Sequence, residues 1–139
     1  MLEARRLEMI DTLVRFGVAA GAAAREVDTA TDRLVYYAGW ADKYEQLLGN
    51  VNPVASPHFN FTVTEPMGIV GVIAPDAPAL LGLISLVAPA IVSGNTVVAM
   101  ASESTPYPAI LLGEMLATSD LPGSVVNILT GSRKELVPT

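Results

Sequence analysis

Hydrophobic residues between positions 68 and 131 fall into three short runs without polar alternation. These runs are rich in β-branched residues and cover residues 69–74, 96–100 and 125–129. Two segments of helical length, rich in alanine and leucine, separate them, and each begins with turn residues. The pattern predicts strand, helix, strand, helix, strand, with the strands covered on both faces and paired in parallel through right-handed crossovers.

Residues 1–65 show two other periodicities. Apolar residues recur at steps of three and four near the N-terminus and again from Arg25 to Tyr44, which predicts two amphipathic helices. The predicted buried stripe of the first helix consists of Leu7, Ile10, Leu13, Val14, Gly17 and Val18. Residues 48–57 are rich in turn formers, and residues 59–64 alternate apolar with polar, which predicts a connector and then a half-exposed strand.

The predicted fold is therefore α/β: N-terminal helices (1–47), a connector with a strand (48–65), and the βαβαβ first half of a doubly wound, Rossmann-like parallel sheet (66–139). In such sheets, ligands bind at the carboxyl ends of the strands. Chemistry is therefore predicted at residues 75–78 and 101–104, which read PDAP and ASES.

Composition narrows the possible partners. The chain has 139 residues, a net charge of −6, 51% hydrophobic residues and only 16% charged residues. The acidic excess argues against nucleic acid, since no basic cluster offers phosphate contacts. The longest apolar stretch, residues 77–93, contains two prolines and is too short to span a membrane. With no cysteine and no signal-peptide pattern, a cytoplasmic location is predicted.

Residues 65–131 resemble the start of the cofactor domain of aldehyde dehydrogenases. The family pattern has an EPxGxVG lead-in, a strand ending in PWNxP, then PAxxxGNTVVxKPxExTP and xGxVNxxxG. This sequence supplies EPMGIVG at 65–71, PA at 89–90, GNTVV at 94–98, Glu103, Thr105-Pro106, and PG through VN to Gly131. The resemblance implies NAD or NADP as cofactor, an oxidoreductase acting on aldehydes, and an oligomerisation role for the strand at residues 59–64.

Two departures fall on positions that carry function in the family. Asp76 stands where the family has an asparagine that stabilises an oxyanion, and an ionised carboxylate cannot donate such a hydrogen bond. Met100 stands where the family has a lysine that contacts the adenosine ribose, and a thioether offers no charge. Glu103 matches the family glutamate, which accepts from ribose hydroxyls. The candidate cofactor-binding residues are Ile73, Ala74, Pro75, Asp76, Met100, Ser102 and Glu103.

Each candidate also has a structural interpretation. Asp76 before Ala77-Pro78 is predicted to be the N-cap of the first crossover helix, and Thr105 with Pro106 is predicted to start the second. Without the family's lysine, Glu103 is better explained as a solvated residue preceding that helix. Gly94 is predicted to end the first crossover helix as a left-handed cap.

Two functional hypotheses remain open from the sequence. In the first, the chain is a piece of a longer NAD(P)-dependent aldehyde dehydrogenase and is not catalytic alone, because it holds no cysteine nucleophile and the family's general-base glutamate lies in a later segment. In the second, it is a degenerate, non-catalytic homologue that serves as a scaffold or oligomerisation module. Either way we expect a homo-oligomer or contact with the remainder of a longer chain.

Overall fold

A computed structural model describes residues 1–136. It contains six helices and five strands in those residues. Their bounds are α1 Arg6–Arg15, α2 Ala20–Ala41, α3 Tyr44–Leu48, β1 Asn50–Asn52, β2 Asn60–Thr62, β3 Ile69–Ile73, α4 Ala79–Val92, β4 Thr96–Met100, α5 Tyr107–Ala117, β5 Val126–Leu129 and α6 Arg133–Leu136.

The main sheet confirms the predicted βαβαβ unit. Its three strands lie in the order β3-β4-β5, and both pairs are parallel. Ile73 pairs with Met100 and Met100 pairs with Leu129, so the carboxyl ends of all three strands lie at one edge of the sheet. The loops that follow the strands are thereby brought together.

Only one face of β3 is covered within residues 1–136. Val70 and Val72 are partly buried, whereas the alternate residues Ile69 and Ile73 are 77% and 48% exposed. Two successive crossovers that advance the sheet in the same direction with the same hand place their helices on the same face. The expectation of strands covered on both faces is therefore wrong for β3, because α4 and α5 cover the same side.

The core lies between this covered face and the helices. Helix α2 packs along α4 and against α1, and the fully buried side chains include Met9, Leu13 and Leu83. In α1 the predicted stripe is wrong at Leu7 and Val14, which are exposed, since the buried line runs through Met9 and Leu13. A bidentate ion pair links the Arg6 guanidinium of α1 to the Asp28 carboxylate of α2.

Helix α4 ends as predicted. Gly94 has a φ of +83° and follows the last helical turn, a conformation that glycine adopts without penalty. The next residue, Asn95, is buried; its amide nitrogen donates to the Ala90 carbonyl at 3.1 Å, and its oxygen accepts from the Gly68 N–H at 3.0 Å. Asn95 thus joins the end of α4 to the beginning of β3.

A separate two-stranded sheet precedes the main sheet. Strand β1 pairs antiparallel with β2, and β1 was not predicted from the sequence. The hairpin exposes Val51, Phe59 and Phe61, which are 69%, 74% and 58% accessible. The strand predicted at residues 59–64 is shorter in the structure, and its apolar residues face outward.

Within residues 1–136, none of the helices combines the length and apolar character needed to cross a bilayer. The same residues hold no cluster of three metal-ligating side chains.

Candidate functional site

Three loops meet at the carboxyl edge of the main sheet. The loops after β3 and β4 contribute Asp76 and Ser102, and the loop after β5 leads directly to Arg133, the first residue of α6. The Ser102 hydroxyl lies 3.1 Å from Asp76 Oδ1, and Arg133 Nη2 lies 3.1 Å from the same oxygen. The two segments at which the sequence predicts chemistry, residues 75–78 and 101–104, are therefore in direct contact.

Asp76 does not cap the first crossover helix, so the predicted N-cap is wrong. Helix α4 begins only at Ala79, and its first turn receives its acceptor from another helix. Glu26 of α2 accepts hydrogen bonds from the N–H groups of Leu80 at 2.8 Å and Leu81 at 3.1 Å. These are the second and third helical positions, which an N-cap side chain normally serves. Asp76 is therefore free to face the neighbouring loops.

The Ser102 hydroxyl is directed towards Asp76 by its own hydrogen bonds. Ser102 is 2% exposed, and its oxygen accepts from the Thr105 N–H at 2.9 Å. A hydroxyl has one hydrogen, so Ser102 can donate only one hydrogen bond. Of its two acceptors on Asp76, the carboxylate oxygen Oδ1 is nearer, at 3.1 Å, than the main-chain carbonyl, at 3.4 Å. The N–H groups of Glu103 and Ser104 lie 3.1 and 3.5 Å from the same oxygen.

Arg133 completes this cluster, and the sequence reasoning missed it. Its Nη2 donates to the Ala74 carbonyl at 2.8 Å as well as facing Asp76. Its main-chain N–H donates to Glu103 Oε2 at 3.2 Å. Its Nε is buried and has no hydrogen-bond partner among the residues that the structure describes. The basic pair Arg133-Lys134, shortly after a strand that ends at the site edge, was the available sequence indication.

These contacts act on the ionisation of Asp76. Partial desolvation favours the neutral acid and by itself raises the pKa of the carboxyl. The hydrogen bonds from Ser102 and from the Ser104 and Glu103 N–H groups, together with the charge of Arg133, outweigh it. The pKa of Asp76 is therefore held below its ordinary value, and the side chain is an anion at neutral pH.

The remaining candidate residues line the same edge with apolar groups. Ile73 and Pro75 are exposed, whereas Ala74 is fully buried and Met100 is 5% exposed. A Cβ on Gly82 of α4 would lie 2.7 Å from Pro75 Cδ and would overlap its ring. The loop after β3 is therefore seated directly on the α4 backbone. At the family's lysine position the chain presents a buried thioether.

The second crossover helix begins differently from the prediction. Helix α5 starts at Tyr107 with Pro106 as its N-cap residue, and Thr105 provides no side-chain cap. Thr105 instead donates its N–H to Ser102. Glu103 is exposed, in agreement with its solvated interpretation, but its hydrogen bond with the Arg133 main chain orders it at the site edge.

Comparisons with known proteins identify the family and agree with this arrangement of the sheet. The sequence model of the aldehyde dehydrogenase family matches residues 1–139. The chain belongs to the aldehyde dehydrogenase family. It is 44% identical over 98 residues to retinal dehydrogenase 2 of Mus musculus, and 38% identical over 106 residues to mitochondrial aldehyde dehydrogenase of Sus scrofa. These alignments cover 70% and 76% of this chain but only 18% and 20% of the relatives, so the chain spans about a fifth of their length.

Solved structures support the same assignment. An aldehyde dehydrogenase from Bacillus cereus, in complex with NAD+, superposes with a TM-score of 0.89 at 26% identity. It is matched over 95% of this chain and 27% of its own. The GapN glyceraldehyde-3-phosphate dehydrogenase of Methanocaldococcus jannaschii, complexed with NADP, gives 0.85 at 28% identity, over 96% of this chain and 29% of its own. The chain therefore has the fold of the N-terminal part of these proteins.

Proposed function

We propose that the chain forms the adenosine side of a nicotinamide dinucleotide site in an aldehyde dehydrogenase-like protein, without performing the chemistry itself. The observation that carries the proposal is the carboxyl edge of the β3-β4-β5 sheet, where Glu103 is exposed and held in place by Arg133. Parallel sheets of this kind bind ligands at that edge. Two of the matched structures are complexes, one with NAD+ and one with NADP.

The residues at this edge fit part of a dinucleotide. The Glu103 carboxylate has two oxygens, and it can accept hydrogen bonds from ribose hydroxyls. Met100 cannot supply the cation that the family lysine provides, because it is an apolar thioether and is buried. Two anions, Asp76 and Glu103, flank the same edge. We therefore expect NAD to bind better than NADP, whose 2′-phosphate would face these charges.

The chain lacks the nucleophile that aldehyde oxidation uses in the family, and its Asp76 does not suit the oxyanion-stabilising role. The nicotinamide group would accept a hydride, but the chain has no cysteine to form the covalent intermediate. Asp76 stands at the position of the oxyanion-stabilising asparagine, and its depressed pKa keeps it negatively charged. An anion at that place repels the negative charge that develops on a carbonyl oxygen. We therefore place any catalytic step outside these residues.

The test is NAD binding by the purified 139-residue chain, measured as a change in melting temperature and by calorimetric titration. A ligand that binds only the folded state raises the melting temperature with its concentration. We expect a saturable rise with NAD, a smaller one with NADP, and loss of the rise in Glu103→Ala. Glu65→Ala removes an equally exposed glutamate outside the site and should behave as wild type. No shift at millimolar NAD, or an equal loss in both variants, would refute the proposal.

A second candidate function is a non-catalytic scaffold or oligomerisation module, favoured by the exposed aromatic side chains of the β1-β2 hairpin. The rings of Phe59 and Phe61 are in contact, with centroids 5.4 Å apart and planes tilted by 36°, and both are largely accessible. Exposed apolar edges of short sheets favour pairing with another chain. We propose a homo-oligomer of a cytoplasmic protein, formed through this hairpin. Light scattering should show an assembly that Phe61→Lys dissociates, whereas Leu7→Lys, at an exposed leucine of α1, does not; a monomeric wild type would refute it.

A further inference from the structure

The hairpin of β1 and β2 has one apolar and one polar face. Val51 pairs directly with Phe61, and the ring of Phe59 contacts that of Phe61, so these three side chains share one face. On the opposite face the Asn52 amide donates to the Asn60 side-chain oxygen at 2.9 Å. Within residues 1–136 the apolar face remains largely exposed. A two-stranded hairpin is marginally stable unless one face packs on something, so this face needs a partner.

The hairpin is also uncharged, although the chain as a whole is acidic. Residues 46–64 contain no Asp, Glu, Lys or Arg, while the net charge of the chain is −6. Exposed strands are commonly protected from association by charged side chains. This hairpin lacks that protection, and its approach to a second acidic copy of the chain adds no charge repulsion of its own.

An apolar groove lies between α2, α4 and the segment before β5, and we call it the α2–α4 groove. Helix α2 contributes Tyr37 and Ala41, helix α4 contributes Ile91 and Val92, and Leu121 comes from the segment before β5. The lining side chains are all aliphatic apart from Tyr37, and the volume of the groove is about 400 Å³. A cavity of about 150 Å³ accommodates one benzene ring. The groove therefore has room for the rings of two phenylalanines.

The groove and the hairpin belong to one continuous surface. Ala41 and Val92 of the groove also line a second hollow, which extends to Glu45 and Thr64. Glu45 and Thr64 in turn border the base of the hairpin. A two-fold axis that passes near this second hollow brings the hairpin of each copy towards the groove of the other.

We propose, resting on the hairpin-mediated oligomer described above, that the chain forms a two-fold dimer in which each hairpin inserts Phe59 and Phe61 into the α2–α4 groove of the other copy. The exposed parts of these two residues, Val51 and Val63 amount to about 450 Å². With a similar area of groove, two reciprocal contacts bury about 1,800 Å², the size of a specific interface, whereas a one-way contact buries about 900 Å². The area thus favours a closed dimer over an open filament.

The experiment measures the mass and the dimer dissociation constant of the 139-residue chain by light scattering and analytical ultracentrifugation. Wild type should have the mass of two copies. Ala38→Glu places a charge on an exposed residue that lines the groove, and it should raise the dissociation constant about tenfold or more because the charge becomes buried without a partner. Thr29→Glu adds the same charge at an exposed position of α2 outside the groove and should dimerise as wild type does.

A double variant tests for direct contact between hairpin and groove. Phe61→Lys and Ala38→Glu should each weaken the dimer, but together they should associate more tightly than either alone, because each lysine then meets a glutamate of the other copy. Phe61→Lys combined with Thr29→Glu should show no such recovery. Circular dichroism establishes that each variant is folded, and should Ala38→Glu fail to fold, Ala41→Glu is judged by the same criteria.

Three results would overturn the inference: Ala38→Glu dimerises as tightly as Thr29→Glu, the double variant is no tighter than the single variants, or the mass grows beyond two copies with concentration. If Phe61→Lys still dissociates the assembly in any of these cases, the hairpin-mediated oligomer stands and only its docking site is wrong. A monomeric wild type would refute both.

Discussion

Glu26 is the residue whose replacement most directly tests how the site loop is positioned. Its carboxylate accepts from the Leu80 and Leu81 N–H groups at the start of α4, immediately after the loop that carries Asp76. An N-cap acceptor contributes about 0.5–2 kcal/mol to the free energy of unfolding. A negative charge at a helix N-terminus adds about 0.3–1 kcal/mol. For Glu26→Ala, which removes both, we expect a loss of about 1–3 kcal/mol.

Glu26→Gln separates the two contributions. The amide keeps a carbonyl oxygen that can accept both hydrogen bonds, so only the charge is lost, at about 0.3–1 kcal/mol. Asp32→Ala is the matched control, because it removes an acidic side chain from an exposed position on the same helix. We expect it to change stability by less than about 0.5 kcal/mol.

The assay is urea unfolding followed by far-ultraviolet circular dichroism, with the free energy obtained by linear extrapolation. For a chain of this size, each kcal/mol corresponds to roughly 3–5 °C in melting temperature, which gives an independent reading. The reasoning is refuted if Glu26→Ala costs no more than Asp32→Ala, or if Glu26→Gln costs as much as Glu26→Ala. The first result would mean that Glu26 does not stabilise the start of α4, and the second that its charge, not its hydrogen bonds, does so.

Three further predictions concern packing and charge around the site. Gly82→Ala should lower the free energy of unfolding by about 1–3 kcal/mol, because the new Cβ overlaps the Pro75 ring. The control is Gly113→Ala, whose Cβ makes only an ordinary contact at 3.5 Å and which should be neutral or stabilising. Equal effects of the two substitutions in urea unfolding would contradict this. Asn95→Ala should cost about 1–3 kcal/mol, since it leaves buried partners unpaired at the end of α4, and a cost near zero in the same assay would show that water replaces it. The pKa of Asp76 is lower in the folded state than in the unfolded state. The ionised carboxylate therefore stabilises the fold fully above the unfolded pKa of about 4, and this stabilisation is lost as the pH falls through the folded-state pKa. Below about pH 4, the free energy of unfolding should depend less on pH in Asp76→Asn than in wild type, and parallel pH profiles would contradict this.

The sheet could be predicted because its information is local. Strand β4 runs from Thr96 to Met100, as the uninterrupted apolar run indicated, and the parallel order follows from the helices between the runs. Strand β1 has no such run, since Asn50-Val51-Asn52 is two-thirds polar. It is a strand because β2 pairs with it, and this pairing cannot be read from three residues.

The predicted N-caps are wrong because the groups at the helix starts are set by contacts between residues far apart in the sequence. Asp76 and Thr105 have the residue types and proline neighbours of N-caps, but the acceptor for α4 comes from Glu26, more than fifty positions earlier. A local pattern cannot show that a side chain from another helix already occupies the helix start. Asp76 therefore faces the neighbouring loops, where Arg133 Nη2 contacts its carboxylate. The same Nη2 donates to the carbonyl of Ala74, which lies 59 positions before Arg133 in the sequence.

The departures from the family pattern at this edge are physically linked. Replacing the family's asparagine by Asp76 introduces a negative charge, and replacing its lysine by Met100 removes a positive one, so together they would leave the edge strongly acidic. Arg133, at the start of α6, supplies a compensating positive charge, and its Nη2 lies 3.1 Å from Asp76 Oδ1. The cation thus pairs with an anion of the chain itself. The edge keeps the strand arrangement of the family while charged residues of its own loops neutralise one another, so strong resemblance in the strands coexists with altered chemistry in the loops.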